Sequence, residues 1–117
     1  MATRVLIVDD HAGFRTTARA LLQAEGFEVV GEAENGVAAL RAVGDLHPDV
    51  VLLDVQLPDF DGFEVASRLS RNGNGPTIVM VSSRDASDFG PLVAESGAAG
   101  FIPKGELSGA ALATLLP

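Results

Sequence analysis

The chain has 117 residues, of which 47% are hydrophobic and 21% are charged, and it contains no cysteine. This size and composition predict one globular domain, and the lack of cysteine excludes disulfide bonds, thiolate catalysis and zinc–thiolate sites. Sixteen acidic residues against eight Lys and Arg give a net charge of -8, which disfavours binding of nucleic acid by this segment. The N-terminal apolar run is too short for a signal peptide or a membrane span, so we expect a cytoplasmic protein that binds no membrane.

Five apolar runs of strand length occur along the chain, separated by segments with helical periodicity. Strands are predicted at residues 5–8, 27–33, 50–53, 77–81 and 100–102. The first, third and fourth runs are apolar without alternation, which is typical of parallel strands that are buried on both faces. The second run carries Glu28 and Glu32, which favours a position at the edge of the sheet.

The segments between the strands predict helices. In the first segment, Phe14, Ala18, Leu21 and Leu22 share one face of a helix that Gly26 ends. The other helices are predicted from residue 35 to about 45, from 62 to 71, from about 86 to 96, and along residues 107, 111 and 115. The fourth helix contains a Gly-Pro pair at residues 90–91, so we expect it to be irregular or to begin late, at the proline.

This alternation of strands and helices predicts right-handed crossover connections and a parallel sheet that is covered on both faces. The fold class is therefore α/β, a flavodoxin-like three-layer sandwich with five strands in the order 2-1-3-4-5 and five helices. The sequence contains no repeat or linker, so we expect a single domain over residues 1–117, with any output domain outside this chain.

Charged and polar residues follow the strands at their carboxyl ends, which all lie at one edge of a parallel sheet. Asp9 and Asp10 follow the first strand, Asp54 closes the third, Ser82 and Ser83 close the fourth, and Lys104 lies two residues after the fifth. Three converging carboxylates repel each other, so the site requires a cation. With oxygen ligands and no well-placed imidazole, Mg²⁺ fits best, and an Asp beside Mg²⁺ and Lys can act as a nucleophile towards phosphorus.

The segments VLIVDDH, PDVVLLDVQLPDFDG, TIVMVSS and GAAGFIPKGEL occur in this order along the chain. In order and spacing they resemble the receiver domain of two-component response regulators over essentially the whole length. The DDH and GFIPKGEL segments look most like regulators with a helix-turn-helix DNA-binding output domain. The resemblance implies a phosphorylation-activated switch that receives its phosphoryl group from a sensor histidine kinase.

The resemblance also implies a role for individual residues. Asp54 would be the phosphoacceptor, Asp10 a direct Mg²⁺ ligand, Asp9 a ligand through water, and the backbone carbonyl of Gln56 a further ligand. Ser82 and Lys104 would each bind a phosphoryl oxygen. Phe101, which we expect first of all to be part of the core, matches an aromatic switch position of the family. The family also suggests a homodimer through the face formed by helix 4, strand 5 and helix 5.

Several positions depart from the usual family pattern. Gly105 follows the lysine where the family has proline, while Pro103 precedes it. Phe101 replaces the common Tyr, and Ser82 replaces the more common Thr. Position 56 and position 84, occupied here by Gln and Arg, are variable in the family and influence the lifetime of the phosphate. These differences affect the geometry of the loop that carries Lys104 and how sharply the domain switches between its two states.

Each candidate residue also has a simpler explanation. Asp9 and Asp10 can cap the first helix, and Asp59 and Asp61 are better explained as turn residues than as ligands. Ser83 takes the place of Ser82 if the strand register shifts by one residue. His11 is expected to face solvent or to bond locally, His47 is expected at the opposite edge of the sheet, and the NGNGP segment at 72–76 is expected to be a loop.

Two other functions compete with the switch. A small aspartyl-phosphate phosphohydrolase would require a second Asp where Gln56 stands, so we expect no turnover of an external substrate. A flavodoxin-like binding module or a pseudo-receiver would take no phosphate at all. Flavin binding is disfavoured because the chain lacks Trp and Tyr, whereas a pseudo-receiver requires only one defective site residue.

Overall fold

A computed structural model of the chain describes residues 2–70 and 75–117. Within these ranges five parallel strands form one sheet in the order β2-β1-β3-β4-β5, which confirms the predicted fold class. The strands are β1 (Arg4–Val8), β2 (Glu28–Ala33), β3 (Val50–Asp54), β4 (Thr77–Ser82) and β5 (Gly100–Pro103). None of the helices among these residues is long and apolar enough to cross a membrane.

Helices connect the strands as the periodicity predicts. They are α1 (Ala12–Ala24), α2 (Gly36–Leu46), α3 (Gly62–Ser70), α4 (Leu92–Glu95) and α5 (Gly109–Thr114), with 3-10 turns at Ala86–Asp88 and Lys104–Glu106. The fourth helix begins after the proline, as expected. The predicted end of the third helix at residue 71 and the predicted loop at 72–74 lie outside the described residues.

The last helix is shorter than predicted. Leu107 is predicted on the face of this helix, but it lies before the helix begins, because the side chain of Ser108 caps the helix. The Ser108 hydroxyl accepts a hydrogen bond from the backbone N–H of Ala111 at 2.9 Å. A side-chain cap of this kind fixes the first residue of a helix more strongly than apolar periodicity does.

The core consists of two layers, one on each face of the sheet. Because successive side chains of a strand point to opposite faces, Val5 and Ile7 pack with α1 and α5, whereas Leu6 and Val8 pack with α2 and α3. All five residues of β3 are buried, including the final Asp54. The central strand therefore ends in a carboxylate that is 4% exposed.

Candidate functional site

Acidic side chains from two strand ends meet at the carboxyl edge of the sheet. Asp9 is fully buried, Asp54 is almost so, and the side chain of Asp10 is 38% exposed. One carboxylate oxygen from each of them and a ring nitrogen of His11 all lie within 4.8 Å of one another. The structure thus brings together the three aspartates that the strand-end argument selected, from positions more than forty residues apart in the chain.

Lys104 supplies positive charge to this cluster from the turn after β5. Its Nζ lies 2.6 Å from Oδ2 of Asp9 and 3.5 Å from Oδ2 of Asp54, and it stacks 4.6 Å from the ring centroid of Phe14. The contact with Asp9 is close in distance but not aligned for a hydrogen bond. This buried Oδ2 therefore has no hydrogen-bond partner among the described residues, and only the charge of the ammonium compensates it.

Asp54 is held in an environment that disfavours its ionised form. Burial, and then the negative charge of Asp9, raise the pKa of Asp54 to about 6, although the nearby Lys104 and the backbone N–H of Gln56 act in the opposite direction. The Gln56 N–H donates to Oδ1 of Asp54 at 3.3 Å. One ammonium is thus too little positive charge for this group of carboxylates, and a further cation would stabilise it.

The donor set fits a hard divalent cation. Carboxylate oxygens are the ligands that Mg²⁺ prefers, and the cluster offers one from each of Asp9, Asp10 and Asp54 within 4.8 Å of one another. A cavity of about 200 Å³ opens beside these groups and is lined by Asp10, Asp54, Ser82 and Lys104. A larger cavity of about 390 Å³ lies at the opposite edge of the sheet around His47, away from this chemistry.

Ser82 and Ser83 both line the cavity, but they differ in burial. Ser82 ends β4 and is 2% exposed, and its Oγ accepts a hydrogen bond from the backbone N–H of Arg84 at 3.1 Å. Ser83 is exposed. The hydroxyl of Ser82 is therefore the one that the end of the strand holds in a defined position, and Ser83 lies further towards solvent.

The turn after β3 is fixed by its backbone. Gln56 and Asp61 pair as an antiparallel bridge, and the N–H of Gly62 donates to the carbonyl oxygen of Val55 at 2.6 Å. A Cβ at position 62 would collide with the carbonyl oxygen of Asp54, so only glycine permits this return of the chain. The carbonyl of Gln56 lies in a turn with little freedom to move.

The interpretation of Asp59 and Asp61 as turn residues is incomplete, because each carboxylate caps a helix. Oδ1 and Oδ2 of Asp59 accept from the N–H groups of Gly36 and Val37 at 2.7 and 3.0 Å, at the start of α2. Burial opposes ionisation of Asp59, but these backbone donors outweigh it and hold the pKa below its usual value. Asp61 accepts from the N–H of Glu64 at 2.8 Å.

Sequence reasoning missed the contact between Asp59 and α2. Oδ1 of Asn35 already accepts a hydrogen bond from the N–H of Ala38 at 2.8 Å and caps this helix, so no local pattern indicates a second acceptor. A usable signal was Gly36, since its missing side chain leaves room for Asp59 and for Phe60. The pairing joins segments 23 residues apart, and local patterns do not encode such a contact.

The two histidines lie at opposite edges, as expected. His11 is 70% exposed and bonds locally, since its Nδ1 is 3.1 Å from a carboxylate oxygen of Asp9 and of Asp10. The expectation that no imidazole is well placed for the acidic cluster is therefore wrong. His11 is also the N-cap residue of α1, so neither aspartate occupies that capping position. His47 ends α2, and its carbonyl accepts from the side chain of Arg4 at 2.7 Å.

Phe101 is half-buried rather than part of the fully buried core, because β5 is an edge strand and the neighbouring α4 has four residues. Its ring centroid lies 5.8 Å from that of Phe89, which in turn lies 5.6 Å from that of Phe63. The three rings form a row between β5 and α3. Gly105 sits in the 3-10 turn that carries Lys104, where a Cβ would meet no atom within 4 Å.

The fold and this acidic site define a receiver domain. The profile of the response regulator receiver domain family matches residues 5–115, and the chain belongs to this family, which confirms the resemblance stated above. Among solved structures, the receiver domain of the response regulator NarL from Mycobacterium tuberculosis superposes with a TM-score of 0.85 at 34% identity. That alignment covers 97% of this chain and 96% of the other.

Curated relatives include transcription regulators. The chain is 40% identical over 106 residues to the virulence-factor transcription regulator BvgA of Bordetella pertussis, covering 91% of this chain and 51% of BvgA. It is 39% identical over 103 residues to the response regulator GacA of Pseudomonas viridiflava, covering 87% of this chain and 48% of GacA. The chain therefore spans about half the length of these relatives.

Proposed function

We propose that this receiver domain is a switch in which Asp54 accepts a phosphoryl group from the phosphohistidine of a sensor kinase. The observation that supports this most directly is the buried Asp54 carboxylate at the end of the central strand, with Asp9 and Lys104 beside it. The open cavity of about 200 Å³ next to Asp54 provides access for the donor group. The similarity to BvgA and GacA supports an output in transcription, and DNA binding belongs outside this acidic segment.

In the reaction, a carboxylate oxygen of Asp54 forms a bond to phosphorus while the phosphorus–nitrogen bond of the donor imidazole breaks. The imidazole leaves with the electron pair of that bond and takes up a proton. Negative charge is distributed over the phosphoryl oxygens during the transfer, and Lys104, 3.5 Å from Oδ2 of Asp54, is placed to stabilise it. The acyl phosphate replaces the single charge of the carboxylate with the larger negative charge of the phosphoryl oxygens, so the site requires positive charge after the transfer as well as before it.

Mg²⁺ is the cofactor that the donor set fits. Asp10 and Asp54 would bind it directly, Asp9 through water and Gln56 through its backbone carbonyl, since this carbonyl belongs to the constrained turn after β3. When bound, the ion neutralises charge on the carboxylates and on the transferred oxygens. Lys104 and the ion therefore have complementary roles, because one ammonium alone leaves Asp54 with a raised pKa.

The phosphoryl group would act on the output surface through Ser82 and Phe101. Ser82 Oγ, now bound by the Arg84 N–H, would turn to a phosphoryl oxygen, and Lys104 would bind another. Phe101, half-buried beside Phe89, would then move inward and change the face formed by α4, β5 and α5. A full shift from 1:99 to 99:1 requires about 5.5 kcal/mol, which a few charge-assisted hydrogen bonds can supply. A homodimer through this face is the proposed consequence.

This chemistry ends with the acyl phosphate and its hydrolysis. A phosphohydrolase requires an acid–base group two residues after the nucleophile, and that position holds Gln56, whose side chain does not transfer protons at neutral pH. We therefore propose a cytoplasmic signalling domain without turnover of an external substrate.

The test is chemical phosphorylation with acetyl phosphate and Mg²⁺, followed by intact-mass measurement. The wild type gains one phosphoryl group, and Asp54→Asn gains none. Asp61→Asn is the matched control, because it changes a carboxylate of the same loop that caps α3 and lies outside the acidic cluster. Equal labelling of the wild type and Asp54→Asn would show that the phosphoacceptor has been assigned to the wrong residue.

A further inference from the structure

His11 places an imidazole nitrogen at the acidic cluster. Its Nδ1 lies 3.1 Å from Oδ1 of Asp9 and 3.1 Å from Oδ1 of Asp10. With a carboxylate oxygen of Asp54 included, the four ligand atoms lie within 4.8 Å of one another. The site therefore offers one nitrogen ligand in addition to its oxygen ligands. Mg²⁺, which is coordinated by oxygen atoms, does not require this nitrogen.

The distance between His11 and Asp10 is that of neighbouring ligands on one ion. In an octahedral coordination sphere with bonds of about 2.1 Å, adjacent ligand atoms are separated by about 3.0 Å. The 3.1 Å between Nδ1 and Oδ1 of Asp10, the directly binding aspartate of the pair, agrees with this value. The same separation also suits a protonated Nδ1 that donates to the carboxylate, so distance alone leaves both roles open.

Packing against the core does not explain the position of the His11 ring. The side chain of His11 is 70% exposed, so the core does not hold the ring at the carboxylates. Its backbone N–H donates to Oδ1 of Asp9 at 2.8 Å, which anchors the start of the side chain beside the cluster. Oδ2 of the same aspartate is buried and lies 2.6 Å from Nζ of Lys104, so Oδ1 is the oxygen of Asp9 that faces the ring. An accessible imidazole nitrogen thus lies beside the carboxylates of the cluster, and the backbone of His11 holds it there.

We infer that His11 is a metal ligand that determines specificity, and that it gives this site added affinity for later first-row divalent metals such as Ni²⁺, Co²⁺ and Zn²⁺. Imidazole nitrogen suits these ions, whereas Mg²⁺ prefers oxygen ligands. The inference rests on the metal site proposed above and adds a selectivity to it. Its consequence is specific, because removal of the ring lowers the affinity for Ni²⁺ and leaves that for Mg²⁺ nearly unchanged.

The experiment is a calorimetric titration of the metal-free protein with Ni²⁺ and, separately, with Mg²⁺. The variants are His11→Ala, His11→Asn and, as the matched control, His47→Ala, which removes the other histidine of the chain at the opposite edge of the sheet. Both His11 variants are expected to bind Ni²⁺ about tenfold or more weakly, with Mg²⁺ affinity unchanged within about twofold. His11→Asn is decisive, because its amide can still donate a hydrogen bond to the carboxylates.

A second measurement identifies the ligand atom directly. On addition of Zn²⁺, the ring nitrogen resonances of His11 are expected to shift in ¹⁵N NMR spectra, while those of His47 stay in place. Unchanged Ni²⁺ affinity in His11→Ala, or an equal loss of Ni²⁺ and Mg²⁺ affinity, would overturn the inference. A loss of Ni²⁺ affinity in His47→Ala would overturn it too, by placing the nickel elsewhere. If the wild type binds Ni²⁺ through His11 but fails to bind Mg²⁺, the inference stands and the proposed Mg²⁺ site fails.

Discussion

Replacing Asp54 by Asn should stabilise the metal-free protein at neutral pH. The change removes a carboxylate whose pKa is raised from 3.8 to about 6 in the folded chain, first by burial and then by the charge of Asp9. At about 1.36 kcal/mol per pH unit, this difference corresponds to about 3 kcal/mol. The side chain is 5% exposed, so solvent screens this free energy little.

The sign follows from proton binding. Between pH 3.8 and about 6, folded Asp54 keeps a proton that the unfolded chain has released. Its contribution to the free energy of unfolding is therefore fully present below pH 3.8 and is lost as the pH rises through about 6. The Asp54→Asn variant has no carboxylate to ionise and does not lose this stability. Its free energy of unfolding should therefore exceed that of the wild type only slightly near pH 4 and by about 3 kcal/mol at pH 8.

The assay is urea unfolding followed by circular dichroism in a chelating buffer at several pH values between 4 and 8. Adding Mg²⁺ at about 100 times its dissociation constant should stabilise the wild type by about 2.7 kcal/mol and cancel most of the difference. A difference between Asp54→Asn and the wild type that does not change with pH would refute the electrostatic argument. A difference of the opposite sign at pH 8 would do the same.

The same unfolding assay tests two further substitutions in the loop after β3, Gly62→Ala for its geometry and Asp59→Asn for its charge. Gly62→Ala should destabilise the fold by about 1–3 kcal/mol, because its Cβ collides with the carbonyl oxygen of Asp54, whereas Gly105→Ala, with open space at its Cβ, should change stability little. Equal effects of the two would contradict the steric explanation. Asp59→Asn should show the opposite pH dependence to Asp54→Asn: the pKa of Asp59 is lowered, so its contribution is present above pH 3.8 and is lost as the pH falls below it. A stability difference for Asp59→Asn that grows as the pH falls would contradict this sign.

The fold could be predicted from the sequence because its dominant signals are local. Unbroken apolar runs at β1, β3 and β4 indicate strands covered on both sides, and the charged residues of β2 indicate an edge. The parallel topology then brings Asp9, Asp10 and Asp54 to one edge without any knowledge of side-chain contacts. The convergence of the three carboxylates follows from strand order and strand ends alone.

The parts that could not be predicted depend on contacts between distant segments or on the direction of a side chain. The sequence places His11 beside two aspartates but does not show that its ring turns back to both of them. Phe101 is half-buried because it lies on the edge strand β5 beside the four-residue α4, and the sequence pattern does not show how well neighbouring elements cover a side chain. The start of α5 was misplaced for a related reason, since a serine cap at residue 108 outweighed the apolar position before it.

The acids of the PDFDG turn, Asp59 and Asp61, have a different function from those of the acidic cluster. If their carboxylates faced Asp54, they would add repulsion to a site that already lacks positive charge. Instead, Asp59 and Asp61 direct their charge at the N-termini of α2 and α3, where backbone N–H groups and the helix dipole stabilise it. With Gly62 closing the same turn against the end of β3, the backbone around Gln56 is held by residues outside the proposed metal ligands. If the Gln56 carbonyl binds the cation as proposed, little conformational entropy is lost on binding, because the turn around it is already closed.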